Sequence, residues 1–564
     1  MQSWFDKQPA LLQDELNRLE AIGAQYVIDK DQRKKGSLVI HVTYIIDDDE
    51  LHMNCRYPSS YPYFPFEIKC ENFPEGRHLE PSEKTLCIFA DKNNSWDIKN
   101  DSLADIIENQ VREIYFIHKN PDVVSKIEDE LEGYQVSGQL KTEENSIIVT
   151  VNENPPEGVS GQGEILINEI AKYNQAIQGC FNLAYDSDGK VGFQDNSNYH
   201  KRFNKKLPIR WVKLDKGLKS TSAKQVLEQA VSACPSLKSL SYKAFGKIKV
   251  DVVAVCYPEE TTRNVTDYNW IFVVRRQWKD GCNKRSSTNL IKSDHINPKY
   301  LLARTPNLIG LDNKKVAIIG LGALGSHVAW QLARAGIKKF NLLDKDYLQA
   351  GNLQRWLNAL QLVGMDKSTV VANLLFSNYI DIEVKPYSFE VGSPYPLIDP
   401  TTKELKTVED ILANEVLEKV DIVIDCTAML NVNQYLSNVC RQKNVDYVWC
   451  SATNGAWGGI VGRSPASYMR DVWLDFNMDY GNGDIPEISA KPSDFVQPKG
   501  CFHPTFTGTG FDLDTISIMA ARMVISMLQT EKYGDFNFDV AVLEQFKDGR
   551  PIPTNWKTYS FNNE

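Results

Sequence analysis

The chain has 564 residues, with 63 Lys+Arg against 73 Asp+Glu and a formal charge of −10. That length exceeds what one core supports, so several domains are expected, and the acidic balance excludes a general nucleic-acid binder, which needs a basic face for phosphates. No apolar run approaches a membrane span, the start Met1-Gln2-Ser3-Trp4-Phe5-Asp6 lacks a signal peptide's basic and apolar regions, and the 11 cysteines include no CxxC pair; the expectation is a cytoplasmic protein with reduced thiols and no membrane partner.

Leu11, Leu12, Leu16 and Leu19 lie near helical spacing and predict an amphipathic helix over 8–22. Strand-like runs come next at Ser37–Ile46, Leu51–Tyr57 and Phe66–Cys70, then a loop carrying Cys87, then a helix from Leu103 through Ile107, Val111 and Ile114. Helix, three-stranded meander, loop and helix make an α+β unit over residues 1–135. The polar stretch Glu132–Gly163, holding one short strand at Ser146–Val151, predicts a boundary. Residues 145–300 read as an α/β middle domain without a chemical motif. Its expected helices are Glu164–Ile177 and Ala223–Ala233, and its strands Lys247–Cys256 and Tyr268–Arg275. The Lys/Ser/Asn-rich segment Lys279–Ser293 is expected to separate it from the last domain.

Residues 301–564 read as a Rossmann-like α/β domain. An apolar strand, Val316–Ile319, runs into Gly320-Leu321-Gly322-Ala323-Leu324-Gly325, then a helix Ser326–Ala335, then a strand Lys339–Leu343 ending in Asp344. A later strand, Val420–Ile424, ends in Asp425-Cys426-Thr427. A GxGxxG turn alone says little. After a strand, before a helix and ahead of an acidic residue, it predicts a phosphate turn: the glycines let the backbone approach the phosphates, the helix N-terminus offers N–H groups, and Asp344 accepts from ribose hydroxyls. The next residues separate the nucleotides. Hydride transfer has no need for Arg355 and Lys367, whereas adenylation gathers charge on an α-phosphate that fixed cations stabilise. Arg355 closes the run Asn352-Leu353-Gln354-Arg355, which follows Asp344 closely.

Two cysteines frame this site in sequence. Cys501 lies in a Gly/Pro/Thr-rich loop, Pro498–Gly510, with His503 close by, before a helix over Asp514–Leu528; such a loop exposes a thiol and lowers its pKa. Cys87 comes after Tyr57-Pro58-x-x-Tyr61-Pro62-x-x-Pro65. A thiolate takes an activated acyl group and passes it to a second thiol, so two thiols and a nucleotide site suggest activation and relay. Cys426, Cys440 and Cys450 sit in apolar patterns and read as structural.

The segment Gly320–Gly325, Leu342-Leu343-Asp344-Lys345-Asp346, Asn352–Arg355, Gly364-x-x-Lys367 and Asp421–Thr427 resembles the ThiF/ubiquitin-activating superfamily over most of residues 305–564. The resemblance implies ATP with Mg2+, a protein C-terminus as substrate, ribose binding by Asp344, and phosphate contacts from Asn352, Arg355 and Lys367. It implies Cys501 as the catalytic cysteine, and Arg304 as an arginine supplied across a homodimer. The family's Asp-Cys-Thr is usually followed by a magnesium-binding Asp; here Ala428 stands there, leaving Asp425 or Asp346 to compensate. Residues 1–120 resemble ubiquitin-conjugating enzymes. The proline-rich connection, His78 nine residues before Cys87 and Trp96 nine after it carry that likeness. His78-Leu79-Glu80 replaces the family's His-Pro-Asn, so another donor, such as Asn93 or Asn94, substitutes, or the acceptor needs less help.

Together these parts resemble the bacterial activating–conjugating fusion enzymes of CBASS antiviral operons. That likeness implies ligation of the C-terminus of a cGAS-like nucleotidyltransferase to an amine, lysine first among candidates, through Cys501 and then Cys87. A ubiquitin-like protein is the alternative cargo. An NAD-dependent oxidoreductase and a non-catalytic adaptor are the alternatives of other classes.

Overall fold

The computed structural model describes residues 3–561, apart from 75–77, 81–82, 89–95, 121–135, 151–154, 169–175, 196, 246, 263–264, 297, 358, 400–401, 486–494 and 497–504. It divides into two compact units, Met1–Asn196 with His200–Asn297, and Ser197–Tyr199 with Pro298–Glu564. No helix among the described residues is long and apolar enough to cross a membrane.

The first unit begins with the helix Pro9–Ala21, whose Leu12, Leu16 and Leu19 face inward. They pack on an antiparallel sheet of four strands in the order Gln25–Ile28, Leu38–Ile46, Asp49–Tyr57 and Glu67–Cys70. The three-stranded expectation missed the first of these. Its Gln-Tyr-Val-Ile has too little apolar character to signal a strand, and pairing with Leu38–Ile46 creates it. Alternation in Asp49–Tyr57 puts Leu51, Met53, Cys55 and Tyr57 in the core. The helix after the Cys87 loop starts at Leu103–Ile106 with Ser102 and Asp105 as a capping box, passes a wide turn at Ile107–Val111 and ends as Arg112–Lys119. Glu15 is buried beneath it, accepting hydrogen bonds from Tyr57 Oη at 2.9 Å, the Leu103 N–H at 3.1 Å and Tyr61 Oη.

The middle region departs from the α/β expectation: strands dominate it. Its long strands run Thr142–Thr150, Ser160–Ile167, Gln178–Asp186, Lys205–Lys213, Ile248–Thr262, Val265–Asp280 and Asn283–His295. Lys205–Lys213 pairs with both Ser160–Ile167 and Ile248–Thr262, so the sheet closes on itself as a barrel. Residues of Ile248–Thr262 alternate between two apolar environments. Val250, Val252, Ala254 and Cys256 fill the interior with Trp211, Phe181 and Phe272, while Val253, Val255 and Tyr257 pack outside with Val226 and Ala230 of the helix Ala223–Ala233. Residues 164–167, expected to open a helix, are strand, because Ile165 and Ile167 enter the barrel core. Lys279–Ser293 is not a separator either. Most of it is the strand Asn283–His295, whose polar residues face water while Leu290 and Ile291 are buried.

The second unit is built on an eight-stranded sheet among the described residues, in the order Glu383–Tyr387, Lys339–Leu343, Lys315–Ile319, Ile422–Asp425, Asp446–Thr453, Gly458–Ser464, Val540–Lys547 and Arg550–Tyr559. The first five are parallel and the remaining pairings antiparallel. The fully buried Val-Ala-Ile-Ile of Lys315–Ile319 reflects cover on both faces. One face carries the helices Gly325–Arg334, Lys367–Asn378 and Gly510–Leu528; the other carries Leu430–Lys443 and Val472–Asn482. Chain order reverses between Lys315–Ile319 and Ile422–Asp425, a switch point whose carboxyl ends open a crevice.

Candidate functional site

Lys315–Ile319 delivers the chain to that crevice, where Gly320 turns with φ +84°. A Cβ there would lie 2.9 Å from the Thr427 nitrogen, and one on Gly325 would lie 1.9 Å from the Gly320 carbonyl oxygen, so the turn is packed backbone on backbone. Gly322 has nothing within 4 Å of its Cβ position and opens onto free space. The helix Gly325–Arg334 starts immediately after.

Two adjoining clefts, both open to solvent, surround the turn. The first takes its walls from Gly320, Asp344, Asp346, Phe389, Val391 and Met429. Ala323, Asn352, Arg355, Trp356, Ala428 and Ala452 line the second. Gly322, Lys367, Cys426 and Thr427 border both. The fold thus brings together the sequence-predicted Gly320, Gly322, Ala323, Asp344, Asn352, Arg355 and Lys367. Gly325 is buried behind the turn, and Arg304 is exposed on the approach to the domain.

Asp344 is buried and accepts from the Leu321 N–H at 2.6 Å and the Asp346 N–H at 2.8 Å. Burial pushes its carboxyl up, opposed by the nearby Lys367 charge and those two N–H donors. Each carboxylate oxygen still has a lone pair for another donor. Lys367 Nζ lies 3.1 Å from Asp346 Oδ2. Burial pulls the Arg355 guanidinium down from its ordinary range. Lys345 pairs with Glu390 at 2.7 Å beside the first cleft.

Asp425 has a different role from the metal ligand considered for it. It is fully buried, and its oxygens accept from Thr427 N (2.9 Å), Thr427 Oγ1 (2.7 Å), Asn433 Nδ2 (2.7 Å) and Tyr447 Oη (3.1 Å). It holds Thr427 at the junction of the clefts and is not among the residues lining them. Asp346 is the half-exposed carboxylate that does line the first cleft. Among the described residues no cluster of three His, Cys, Asp or Glu side chains forms a metal cage. This donor set fits Mg2+ only as an ion carried largely by phosphate oxygens and water, with Asp346 as a protein ligand. Ala428 adopts φ +54°, a left-handed conformation uncommon for alanine. Phe389 and Val391 escaped the sequence reading. They come just after the strand Glu383–Tyr387, at its carboxyl end, and that position in a parallel sheet was the available signal.

In the first unit, Cys87 is exposed and its N–H donates to the His78 carbonyl at 2.7 Å, with Leu86 bridged to Leu79. His78 has φ +61°. Glu83, between them in sequence, meets Lys141 and Lys69 at 2.7 Å each, and those two lysines hold its carboxyl down at about 2. Trp96 donates Nε1–H to the Pro62 carbonyl at 2.7 Å and packs edge-on against Phe66. Asn93, Asn94, Cys501 and His503 lie outside the described residues.

Residues 298–472 match the ThiF family model. A Sinorhizobium fredii relative, "Uncharacterized protein y4oA", is 24% identical over 583 residues, 98% of this chain and 95% of its own. The ATP-dependent ubiquitin transferase-like protein Cap2 of Enterobacter hormaechei is 27% identical over 212 residues. That match spans 38% of this chain and only 32% of Cap2. Among solved structures, E. coli MccB with AMPCPP and MccA is 20% identical, covering 45% of this chain and 66% of MccB at a TM-score of 0.32. The glycine turn, the two cations and both cleft-lining aspartates all fall inside the span that matches the ThiF family model.

Proposed function

We propose that this protein activates the C-terminal carboxylate of a partner protein with ATP and carries it through two thioesters to an amine. The observation that carries the reading is the junction of the two clefts: an open phosphate turn at Gly322 bordered by Lys367, with an acidic, apolar-walled chamber on one side and an Arg/Asn-lined chamber on the other. The first chamber suits a nucleoside, with Asp344 placed for ribose hydroxyls and Phe389, Val391 and Met429 for a base. The second suits an incoming carboxylate held by Arg355 and Asn352. A carboxylate oxygen attacks the α-phosphorus, the bond to the β-phosphate oxygen breaks, and pyrophosphate leaves. Lys367 and Arg355 stabilise the charge that builds on the α-phosphate. Mg2+, when bound beside Asp346, neutralises phosphate charge.

The Cys501 thiolate then takes the acyl group and AMP leaves. Exposed Cys87 accepts it by thioester exchange, and a lysine amine forms the amide. The conjugating role of residues 1–135 rests on the proline-rich connection and the Cys87 spacing. The Enterobacter hormaechei relative, by its name an ATP-dependent ubiquitin transferase-like protein, supports the overall chemistry. We place the enzyme in a CBASS setting, acting on a cGAS-like nucleotidyltransferase as a homodimer, with exposed Arg304 available to the second copy. The test is partner-dependent ATP–pyrophosphate exchange, followed by detection of a dithiothreitol-sensitive adduct, using a cGAS-like nucleotidyltransferase and a ubiquitin-like protein in parallel. Exchange with the second alone reassigns the cargo. Exchange with neither and no adduct rejects the reading.

A further inference from the structure

Cys450 lies on the strand Asp446–Thr453 and Cys426 directly follows the neighbouring parallel strand Ile422–Asp425, each one step beyond the register pair Asp425 and Trp449. Both side chains point to the same face, into the core shared with Ile424 and Val448, and the Cys450 thiol lies 3.4 Å from Cys426 Sγ. Neighbouring strands stand about 4.8 Å apart, within the Cα separation that a disulfide accepts. Cys426 is also a wall of both clefts, so a small oxidant entering either one meets it. Cys450 sits behind it, 1% exposed.

We propose that Cys426 and Cys450 are an oxidisable dithiol whose disulfide closes the site at the phosphate turn. The mechanical link is on hand. Cys426 Cβ lies 3.0 Å from the Cβ position of Gly325, and the Cys426 carbonyl carbon lies 3.0 Å from that of Gly320. Bond formation draws the sulfurs from 3.4 Å to about 2.05 Å. Cys426 stands where a side chain on Gly320 or Gly325 would be, so its movement is felt first at this turn. The chemistry is closed with a peroxide as oxidant. One thiolate attacks the O–O bond, forming a sulfenic acid and releasing water after protonation. The second thiol displaces the sulfenic oxygen as a second water. Two thiols lose two electrons and two protons, and the peroxide is reduced to two waters. The Cys450 contact and burial both push the Cys426 thiol up, so the pair reacts slowly and answers to sustained oxidant.

The full chain is treated with hydrogen peroxide, its remaining thiols are blocked, and the peptides are mapped by mass spectrometry. A Cys426–Cys450 crosslink is expected, together with at least a tenfold loss of affinity for a fluorescent ATP analogue that dithiothreitol restores. Cys450→Ala, which does not line the clefts, retains its reduced-state affinity after peroxide. The binding arm rests on the nucleotide reading. Reduced protein that fails to bind the analogue rejects that reading, and the crosslink map still decides the dithiol. Peptides that stay reduced while exposed Cys87 and Cys282 are oxidised overturn the proposal. A crosslink without loss of affinity overturns it too, as does equal sensitivity in Cys450→Ala.

Discussion

Lys367 holds Asp346 at 3.1 Å while standing at the first position of the helix Lys367–Asn378, buried to 8% exposure. A cation at a helix N-terminus opposes the helix dipole, and burial adds a desolvation cost. The pair with Asp346 and the charge beside buried Asp344 offset part of that cost, and the anion expected in the clefts offsets the rest. Lys367→Ala should lower the melting temperature modestly while lowering ATP–pyrophosphate exchange about a hundredfold. Equal losses of stability and exchange would make the lysine structural.

Gly325 and Gly322 separate packing from function within one turn. Gly325→Ala forces a Cβ to 1.9 Å from a backbone oxygen and should prevent stable folding of the second unit, read as loss of its thermal transition. Gly322→Ala meets nothing within 4 Å and should fold normally. Its methyl group enters the space meant for phosphates, so ATP binding by calorimetry should weaken at least tenfold.

The relay predicts an order of thioesters. Cys501→Ala should leave pyrophosphate exchange intact and abolish every reducible adduct. Cys87→Ala should retain the first adduct and lose the amide product, read by intact-protein mass spectrometry. Ligation surviving in Cys501→Ala would sink that order.

Glu15 gives a pH signature to the first unit. Burial pushes its carboxyl above the ordinary 4.5, against hydrogen bonds from Tyr61, the Leu103 N–H and Tyr57. An acid raised by folding contributes fully below pH 4.5, and that contribution is lost as pH rises through the folded value. The melting temperature of the wild type relative to Glu15→Gln should therefore fall as the pH rises above 4.5. Glu15→Ala strands two tyrosine hydroxyls and an N–H, a loss of about 3 kcal/mol by chemical denaturation.

Ala428 lines the second cleft in a left-handed conformation that aspartate tolerates better than alanine. Ala428→Asp should cost no stability and lower the Mg2+ concentration for half-maximal pyrophosphate exchange. An unchanged Mg2+ dependence would show that the ion sits away from this position.

The parts legible in the sequence were those whose cause is local. The strand–turn–helix at Val316–Ala335 announces itself because glycines and an apolar run occur side by side, and the cleft residues Asp344, Asn352, Arg355 and Lys367 lie a short distance further along the chain. Tertiary causes stayed hidden. Asn283–His295 is polar along most of its length, and only pairing with Val265–Asp280 and Thr142–Thr150 makes it a strand. Phe389 and Val391 join the cleft through strand order. Cys426 and Cys450 are 24 residues apart, and nothing but the adjacency of their strands makes them neighbours.

The closed ring of strands between Thr142 and His295 has a practical corollary for anyone dividing this chain. Its seam joins Lys205–Lys213 to Ile248–Thr262, so a cut anywhere inside strips two strands of their partners and bares ladders that invite self-association. Fragments ending before residue 142 or beginning after residue 295 keep every rung matched and are the ones expected to remain dispersed when expressed alone.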